Sequence, residues 1–224
     1  MLGIMSHTSS ARWCSPPHLL VLHAVRVIGM ADDIAVARRT GLDRHEVSEL
    51  LLDDEAHGWV THVGFAGTSG WTLTERGRAE DTRRLAEELD KAGARATVEE
   101  ARQGFEPLNA RLVRACTDWQ LRPEADDRLA VNDHSDPTWD ARVLDELSAL
   151  AGDLTQLVGG LADTLVRFRG YDERFSAALA RARAGQKQWV AGVGVASCHA
   201  VWMELHEDLI STLGVARGAE SGSP

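Results

Sequence analysis

The stretch "TGLDRHEVSELLLDDEAHGWV", residues 40–60, indicates how the first third of the chain folds. Gly41 can end one helix, and Asp43 can cap the next helix with Glu46, three residues later, as its capping-box partner. The apolar positions that recur at helical spacing and should face a core are Val47, Leu50 and Leu51, with Leu52 as a fourth candidate. The stretch therefore predicts a helix, a tight turn and a second helix.

The second of these helices is acidic for a helix that would enter a DNA groove. Helical spacing places four residues on its outer side: Arg44, His45, Ser48 and Glu49. Three acidic residues lie at its C-terminal end: Asp53, Asp54 and Glu55. The N-terminal part of a recognition helix meets the base edges, so the acidic end can lie outside the groove. A Glu side chain can also accept from cytosine N4. The alternative interpretation is a solvated helix face in a fold retained for protein contacts.

The flanking sequence supplies the remaining elements of this unit. An almost wholly apolar run, "HLLVLHAVRVIGM" at residues 18–30, predicts a covered helix, and Asp32 or Asp33 can cap a short helix over "DIAVARRTG". After the stretch, "WVTHV" and "WTLT" alternate as strands do on either side of "GFAGTSG", and "ERGRAEDTRRLAEELDKAG" has helix-forming composition. The predicted order is helix, helix, helix, hairpin, helix.

Residues 17–89 resemble the winged-helix DNA-binding domain of MarR-type bacterial regulators. The resemblance is carried by "IAVARRTGLDRHEVSELL" as the helix-turn-helix, "GWV" opening the wing, and "WTLTERGR" leaving it. It implies sequence-specific binding to double-stranded DNA. The expected DNA contacts are Arg38, Arg39, Arg44, His45, Ser48, Thr68 and Ser69. The wing departs from the family pattern because "THVGFAGTSG" contains no Arg or Lys.

The remainder of the chain predicts further helices, so the expected fold class is mainly α. A winged helix of three helices and a β-hairpin, residues 18–92, precedes an all-helical domain at 93–214, with flexible tails at 1–17 and 215–224. An apolar seam of coiled-coil type runs through Val143, Leu147, Leu150, Leu154, Leu157, Leu161, Leu165 and Phe168. This seam can pack against helices of the same chain or against a second subunit, and both readings stay open.

Polar and aromatic residues in the helical domain predict a small-molecule effector pocket. Its candidate residues are Trp119, His134, Trp139, His199, Trp202 and His206. His199, Trp202 and His206 lie at positions i, i+3 and i+7, which places them on one helix face. The alternatives are ordinary packing with hydrogen-bonded histidines, or a metal or catalytic site that includes His134.

Composition limits the function classes. The chain has 224 residues and a formal net charge of −10, which argues against non-specific nucleic-acid binding. Cys14, Cys116 and Cys198 lack zinc-type spacing, and neither a signal peptide nor a membrane span is evident, so we expect a cytoplasmic protein without a metal or cofactor. Nucleophile, phosphate-loop and HExxH motifs are not found, so an enzyme is not expected.

The sequence therefore predicts a transcriptional regulator that acts as a homodimer, with a helical domain for dimerisation and effector sensing. The alternative is a protein- or ligand-binding module that is derived from a winged helix and has no DNA affinity. An enzyme built around His134, His199 and His206 is the third hypothesis.

Overall fold

The computed structural model describes residues 12–65 and 67–215, and the chain is mainly helical in these ranges. The helices are α1 (Pro17–Ile28), α2 (Asp33–Thr40), α3 (Arg44–Ala56), α4 (Glu75–Ala92), α5 (Arg95–Gln120), α6 (Pro137–Ala162), α7 (Tyr171–Arg183), α8 (Gln188–Ala191) and α9 (Cys198–Leu213), and the strands are β1 (Val60–Phe65) and β2 (Thr68–Leu73). A short 3-10 helix, Val166–Phe168, lies between α6 and α7. No helix in the described ranges is long and apolar enough to cross a membrane.

The first four helices and the hairpin occur in the predicted order. The starts of α2, α3 and α4 are set by local caps, since the side chains of Asp32, Asp43 and Thr74 accept hydrogen bonds from backbone amides of these helices. Gly41 ends α2 with a φ of 73°, in the left-handed region that favours glycine. The core of these elements is formed by Val21, Leu22, Val25, Val36, Val47, Leu51, Val60, Trp71 and Leu73 with neighbouring alanines.

The hairpin is fixed to the rest of this unit at both ends. The backbone of Trp71 exchanges two hydrogen bonds with Ala31, of 2.8 and 3.1 Å, and its indole donates to Asp33 at 2.9 Å. At the other end, α4 passes so close to the residue before β1 that a Cβ at Gly77 would lie 1.9 Å from the Trp59 carbonyl oxygen. The glycine of "TERGR" is therefore required by this backbone contact.

The leucine seam of α6 lies inside the chain. The side chains of Val143, Leu147, Leu150, Leu154, Val158 and Leu161 are buried in a core shared with α5, α7 and α9. Leu157 is only partly buried, because Val158 takes the inward position. The seam does not continue on one helix to Phe168, because α6 ends at Ala162 and the 3-10 helix follows.

The predicted N-terminal tail is wrong for residues 12–17. Trp13 pairs with the segment after α6, donating its backbone N–H to the Thr164 carbonyl at 2.9 Å and accepting from Val166 at 3.0 Å. Pro17 already begins α1. Residues 1–11 and 216–224, the other parts of the predicted tails, lie outside the described residues.

The two groups of helices meet along α9. We call α1 to α4 together with the hairpin the N-terminal unit. Two of its helices, α1 and α4, pack against α9, and α9 also packs against α5, α7 and α8. Leu89 and Ala92 at the end of α4 pack into the apolar cluster of the C-terminal helices, whereas α1, α2, α3 and the hairpin supply a separate apolar cluster. The contact between the two groups is instead rich in buried charge, as described below.

Candidate functional site

The α2–turn–α3 segment presents the first half of α3 to solvent. Val47 and Leu51 are fully buried beneath it, and Leu50 is partly buried. Leu52 was a candidate for the inward face, but it is 55% exposed because it follows Ser48 by one helical turn on the outer side. The inward apolar stripe of α3 is therefore narrow, and its outer side is free of contacts with the core.

Three predicted DNA contacts share this outer side. Arg44 and His45 are exposed at the start of α3, and Ser48 is partly buried one turn later. Arg44 has no ion-pair partner among the described residues, whereas His45 lies 3.5 Å from Glu49. Two donors and a hydroxyl are thus available where a recognition helix would meet base edges.

Carboxylates surround these donors. Glu46, Glu49, Asp53 and Glu55 are all exposed on α3. Arg38, at the end of α2, is the nearest exposed cation before the turn in sequence. Since non-specific affinity for DNA comes from Lys and Arg at phosphates, the exposed charges of α3 favour few, selective contacts over broad attraction.

Asp54 does not belong to the solvated acidic end of α3. Its carboxyl group is buried, and Oδ2 has no hydrogen-bond partner in the described part of the chain. Burial raises the pKa of Asp54 to about 7, although the positive charge of Arg84 opposes the shift.

The prediction that Arg39 contacts DNA is wrong in this structure. Its guanidinium turns away from α3 into the protein, where Nη2 donates to the Tyr171 hydroxyl at 2.6 Å and to Asp208 at 3.2 Å. Nη1 donates to the Arg167 carbonyl oxygen at 3.3 Å. Arg39 therefore connects α2 to the C-terminal helices and is not part of the surface around Arg44.

The two strands of the hairpin contain no Lys or Arg. Ser69 is exposed in β2, and Thr68 begins β2 but its side chain lies outside the described part of the structure. The exposed His62 packs edge-on against Trp71, with ring centroids 4.9 Å apart. The expected wing contacts at Thr68 and Ser69 stay a prediction.

A buried ionic cluster joins the N-terminal unit to the C-terminal helices. We use this name for four cations and four anions: His23, Arg26, Arg39, Arg167, Asp81, Glu88, Glu207 and Asp208. They come from α1, α2, α4, the 3-10 helix and α9. The ionic cluster is balanced in charge when His23 is protonated.

Asp208 is the centre of the ionic cluster. It accepts hydrogen bonds from Arg167, from Arg39 at 3.2 Å, from His23 Nε2 at 3.0 Å and from the Tyr171 hydroxyl at 2.9 Å. Burial alone would raise the pKa of Asp208, but Arg167, His23 and Arg39 hold it well below its usual value. Asp208 is therefore a carboxylate at neutral pH, and side chains from α1, α2 and the 3-10 helix converge on it.

His23 bridges two carboxylates. Nδ1 lies 3.3 Å from Asp81 and Nε2 lies 3.0 Å from Asp208, so both ring nitrogens can donate when the ring is protonated. Burial would lower the pKa of His23, but Asp81 and Asp208 outweigh it and raise the pKa above its usual 6.5. The geometry therefore suits an imidazolium.

No protein-family model, curated protein or solved structure matches the chain. Within the described ranges, no group of three or more His, Cys, Asp or Glu residues is placed to hold a metal ion. A functional proposal for this chain therefore has to be argued from the geometry and charge of its own residues.

The predicted effector residues form two separate groups. Trp119 lies against His134 with ring centroids 4.6 Å apart, whereas Trp202 stacks on Phe105 at 4.9 Å. Phe105 and Trp119 are fourteen residues apart on α5, which corresponds to about 21 Å of helix. The structure therefore does not bring the six residues into one pocket.

Trp202 is a core residue and not the wall of an open pocket. It is fully buried, and its indole N–H donates to Asn109 at 3.0 Å. His206 also stacks on Phe105, at 5.4 Å, and His199 is partly buried one turn before Trp202. The packing alternative fits this face of α9, so the prediction of a pocket at Trp202 is wrong.

The other group stabilises the loop between α5 and α6. His134 has a φ of 62°, and its Nδ1 lies 2.9 Å from Asp140. The Trp139 indole donates to the Asp118 carbonyl oxygen at 2.6 Å, and Trp119 is buried. The polar atoms of these side chains are used to hold the loop against the two helices.

Sequence reasoning missed the ionic cluster, although its signal was present. His23 and Arg26 interrupt the apolar run of α1, and Glu207 and Asp208 interrupt that of α9. Charged residues inside otherwise apolar helices are rarely buried unless they are paired. The sequence therefore indicated that partners exist, but it did not identify them.

Proposed function

We propose that the chain is a sequence-specific DNA-binding transcriptional regulator of winged-helix type. The observation that carries the proposal is the exposed first half of α3, where Arg44 and His45 follow a capped helix–turn–helix and lack contacts with the core. The resemblance of residues 17–89 to MarR-type regulators supports the same function. A regulator of this kind would act in the cytoplasm.

A homodimer is part of the proposal. Two copies related by a two-fold axis would place two α3 helices in successive major grooves, about 34 Å apart. Simultaneous binding of both would offset the weak attraction between one acid-rich helix and DNA. The α6 seam is used within the chain, so the dimer contact would lie elsewhere.

Arg44 is the residue that we expect to carry base recognition. A guanidinium can donate two hydrogen bonds to guanine O6 and N7, and such a pair discriminates by about 1 to 3 kcal/mol. Arg44 is exposed and has no competing ion pair among the described residues. His45 and Ser48 would make adjacent contacts.

Binding-site selection from random duplexes tests the proposal. The full chain should enrich one sequence with two-fold symmetry, and Arg44→Ala should lose this enrichment while keeping its helical circular dichroism. Arg128→Ala is the matched control, since Arg128 is an exposed arginine in the loop between α5 and α6. If the folded wild-type protein enriches no sequence, the proposal fails.

A second candidate function is a protein-binding module without DNA affinity. The exposed Leu52 lies among the carboxylates of α3, which is a surface suited to a basic partner with apolar side chains. Changes to the charged residues of α3 distinguish the two functions, because DNA and a basic protein prefer opposite charges. A DNA-binding α3 should lose affinity on Arg44→Ala and gain affinity on Glu49→Gln, whereas a surface for a basic protein should respond in the opposite direction to Glu49→Gln.

A further inference from the structure

A cavity of about 320 Å³ lies where the N-terminal unit meets the segment after α6. It is enclosed by α1, by the end of α2 and by residues 166–169, with Cys14 and Ser15 at its edge. Its volume lies at the lower end of the range that small-molecule pockets occupy. The cavity can therefore hold a small molecule but not a peptide helix or a nucleic acid.

The lining of this cavity combines cationic and apolar residues. Four arginines contribute to it, Arg38, Arg39, Arg167 and Arg169, and no Asp or Glu does. Leu20 and Val27 of α1 form part of the apolar side. A lining of this kind suits a molecule with an anionic head and an apolar body.

The four arginines are not equally neutralised. Arg39 and Arg167 are paired with carboxylates of the ionic cluster, but the buried Arg39 Nε has no hydrogen-bond partner in the described part of the chain. Arg38 and Arg169 are exposed and form no ion pair with another described residue. Because the ionic cluster is balanced by itself, the last two arginines leave an excess of positive charge beside the cavity.

We propose that this cavity binds a small organic anion, with its carboxylate at Arg38 and Arg169 and its apolar body against Leu20 and Val27. Planar guanidinium groups recognise carboxylates through paired, charge-assisted hydrogen bonds. This site is distinct from the six aromatic and histidine residues predicted from the sequence. It does not depend on whether α3 binds DNA.

A ligand in this cavity would contact both the N-terminal unit and the C-terminal part of the chain. Arg38 lies at the end of α2, directly before the turn into α3, whereas Arg169 follows the 3-10 helix of the C-terminal part. An anion held by both side chains links the α2–α3 turn to the C-terminal helices. If α3 binds DNA, a ligand that prefers one placement of this turn also changes DNA affinity.

Thermal shift and titration calorimetry with sodium hexanoate and sodium octanoate test the site, with hexanamide as the neutral probe. We expect the carboxylates to raise the melting temperature of the full chain and hexanamide to leave it unchanged. Arg169→Gln should weaken carboxylate binding about tenfold or more, as the loss of one charged hydrogen-bonding partner predicts. Arg128→Gln, the matched control, should bind like the wild type.

Three results would overturn the proposal: no shift with either carboxylate, equal shifts with hexanamide, or undiminished binding by Arg169→Gln. Circular dichroism and the melting temperature without added probe check that each variant is folded. If Arg169→Gln does not fold, Arg38→Gln replaces it with the same expected loss. None of these readouts involves DNA, so failure of this site and failure of the proposed regulator are distinguishable.

Discussion

The two sides of α9 are held by different forces. Toward α5 and α7 it presents Trp202, Leu205 and Leu209, which are buried in an apolar core, while toward α1 and α4 it presents Glu207 and Asp208. Apolar burial is favourable in many arrangements because it has no preferred direction. The ionic cluster tolerates few arrangements, since a misplaced charge would stay buried and unpaired. The apolar core therefore supplies stability, and the ionic cluster fixes the position of the N-terminal unit.

Removing the central carboxylate should have the largest effect. Asp208→Asn leaves Arg167, Arg39 and His23 without their shared anion, so we expect a loss of about 3 to 5 kcal/mol in the free energy of unfolding near neutral pH. Urea unfolding followed by circular dichroism measures this loss. Asp126→Asn, at an exposed loop position, is the control and should change little.

The stability difference between the wild type and Asp208→Asn should depend on pH. The folded pKa of Asp208 is lowered from 3.8. Its contribution to the free energy of unfolding is therefore present above pH 4 and is lost progressively as the pH falls below that value. The difference between wild type and Asp208→Asn should therefore shrink in acid. A difference that stays constant from neutral pH into acid would contradict the role of the carboxylate charge.

The apolar side should respond without such pH dependence. Leu154 is fully buried on α6, and Leu154→Ala should cost about 2 to 5 kcal/mol through lost burial and a residual cavity. Leu129→Ala, at a position that is 72% exposed, is the matched control. Unfolding at several pH values should give the same cost for Leu154→Ala, and light scattering should show an unchanged oligomeric state. Dissociation of a folded dimer by this variant would instead place Leu154 between subunits.

Asp54 should give the smallest effect, with the opposite sign. Its folded pKa is raised to about 7 from 3.8, so the folded state is destabilised progressively as the pH rises through this interval and uniformly above it. Asp54→Asn should therefore stabilise the protein by about 1 to 3 kcal/mol at pH 8 and have little effect near pH 4. Thermal unfolding at the two pH values checks this, with the exposed Asp53→Asn as the control. A destabilised Asp54→Asn variant at pH 8 would show that the carboxylate has a partner.

The elements of the N-terminal unit were predictable because their signals are local. Asp32, Asp43 and Thr74 cap helices a few residues away, and the hairpin follows from alternation around a glycine-rich turn. The exposure of Arg44 and His45 likewise follows from helical spacing alone. These features need no knowledge of the rest of the chain.

Long-range partners explain what was not predictable. Arg39 looked like Arg38 in sequence, but its partners Tyr171 and Asp208 lie 132 and 169 residues further along the chain. The seam of α6 fits an internal core and a subunit interface equally well, because both bury the same apolar spacing. Trp202 could not be assigned to core or pocket until Phe105 and Asn109 were placed beside it.

The proposal that α3 is a recognition helix is tested by the affinity of the full chain for its selected duplex and for a shuffled duplex of the same composition. Fluorescence anisotropy at two salt concentrations would measure both. We expect clear preference for the selected duplex, and a loss of about 1 to 3 kcal/mol in binding free energy on Arg44→Ala that is not seen with Arg128→Ala. Equal affinity of the wild-type protein for the two duplexes, or an unchanged affinity of Arg44→Ala, would contradict the assignment of α3 as a recognition helix.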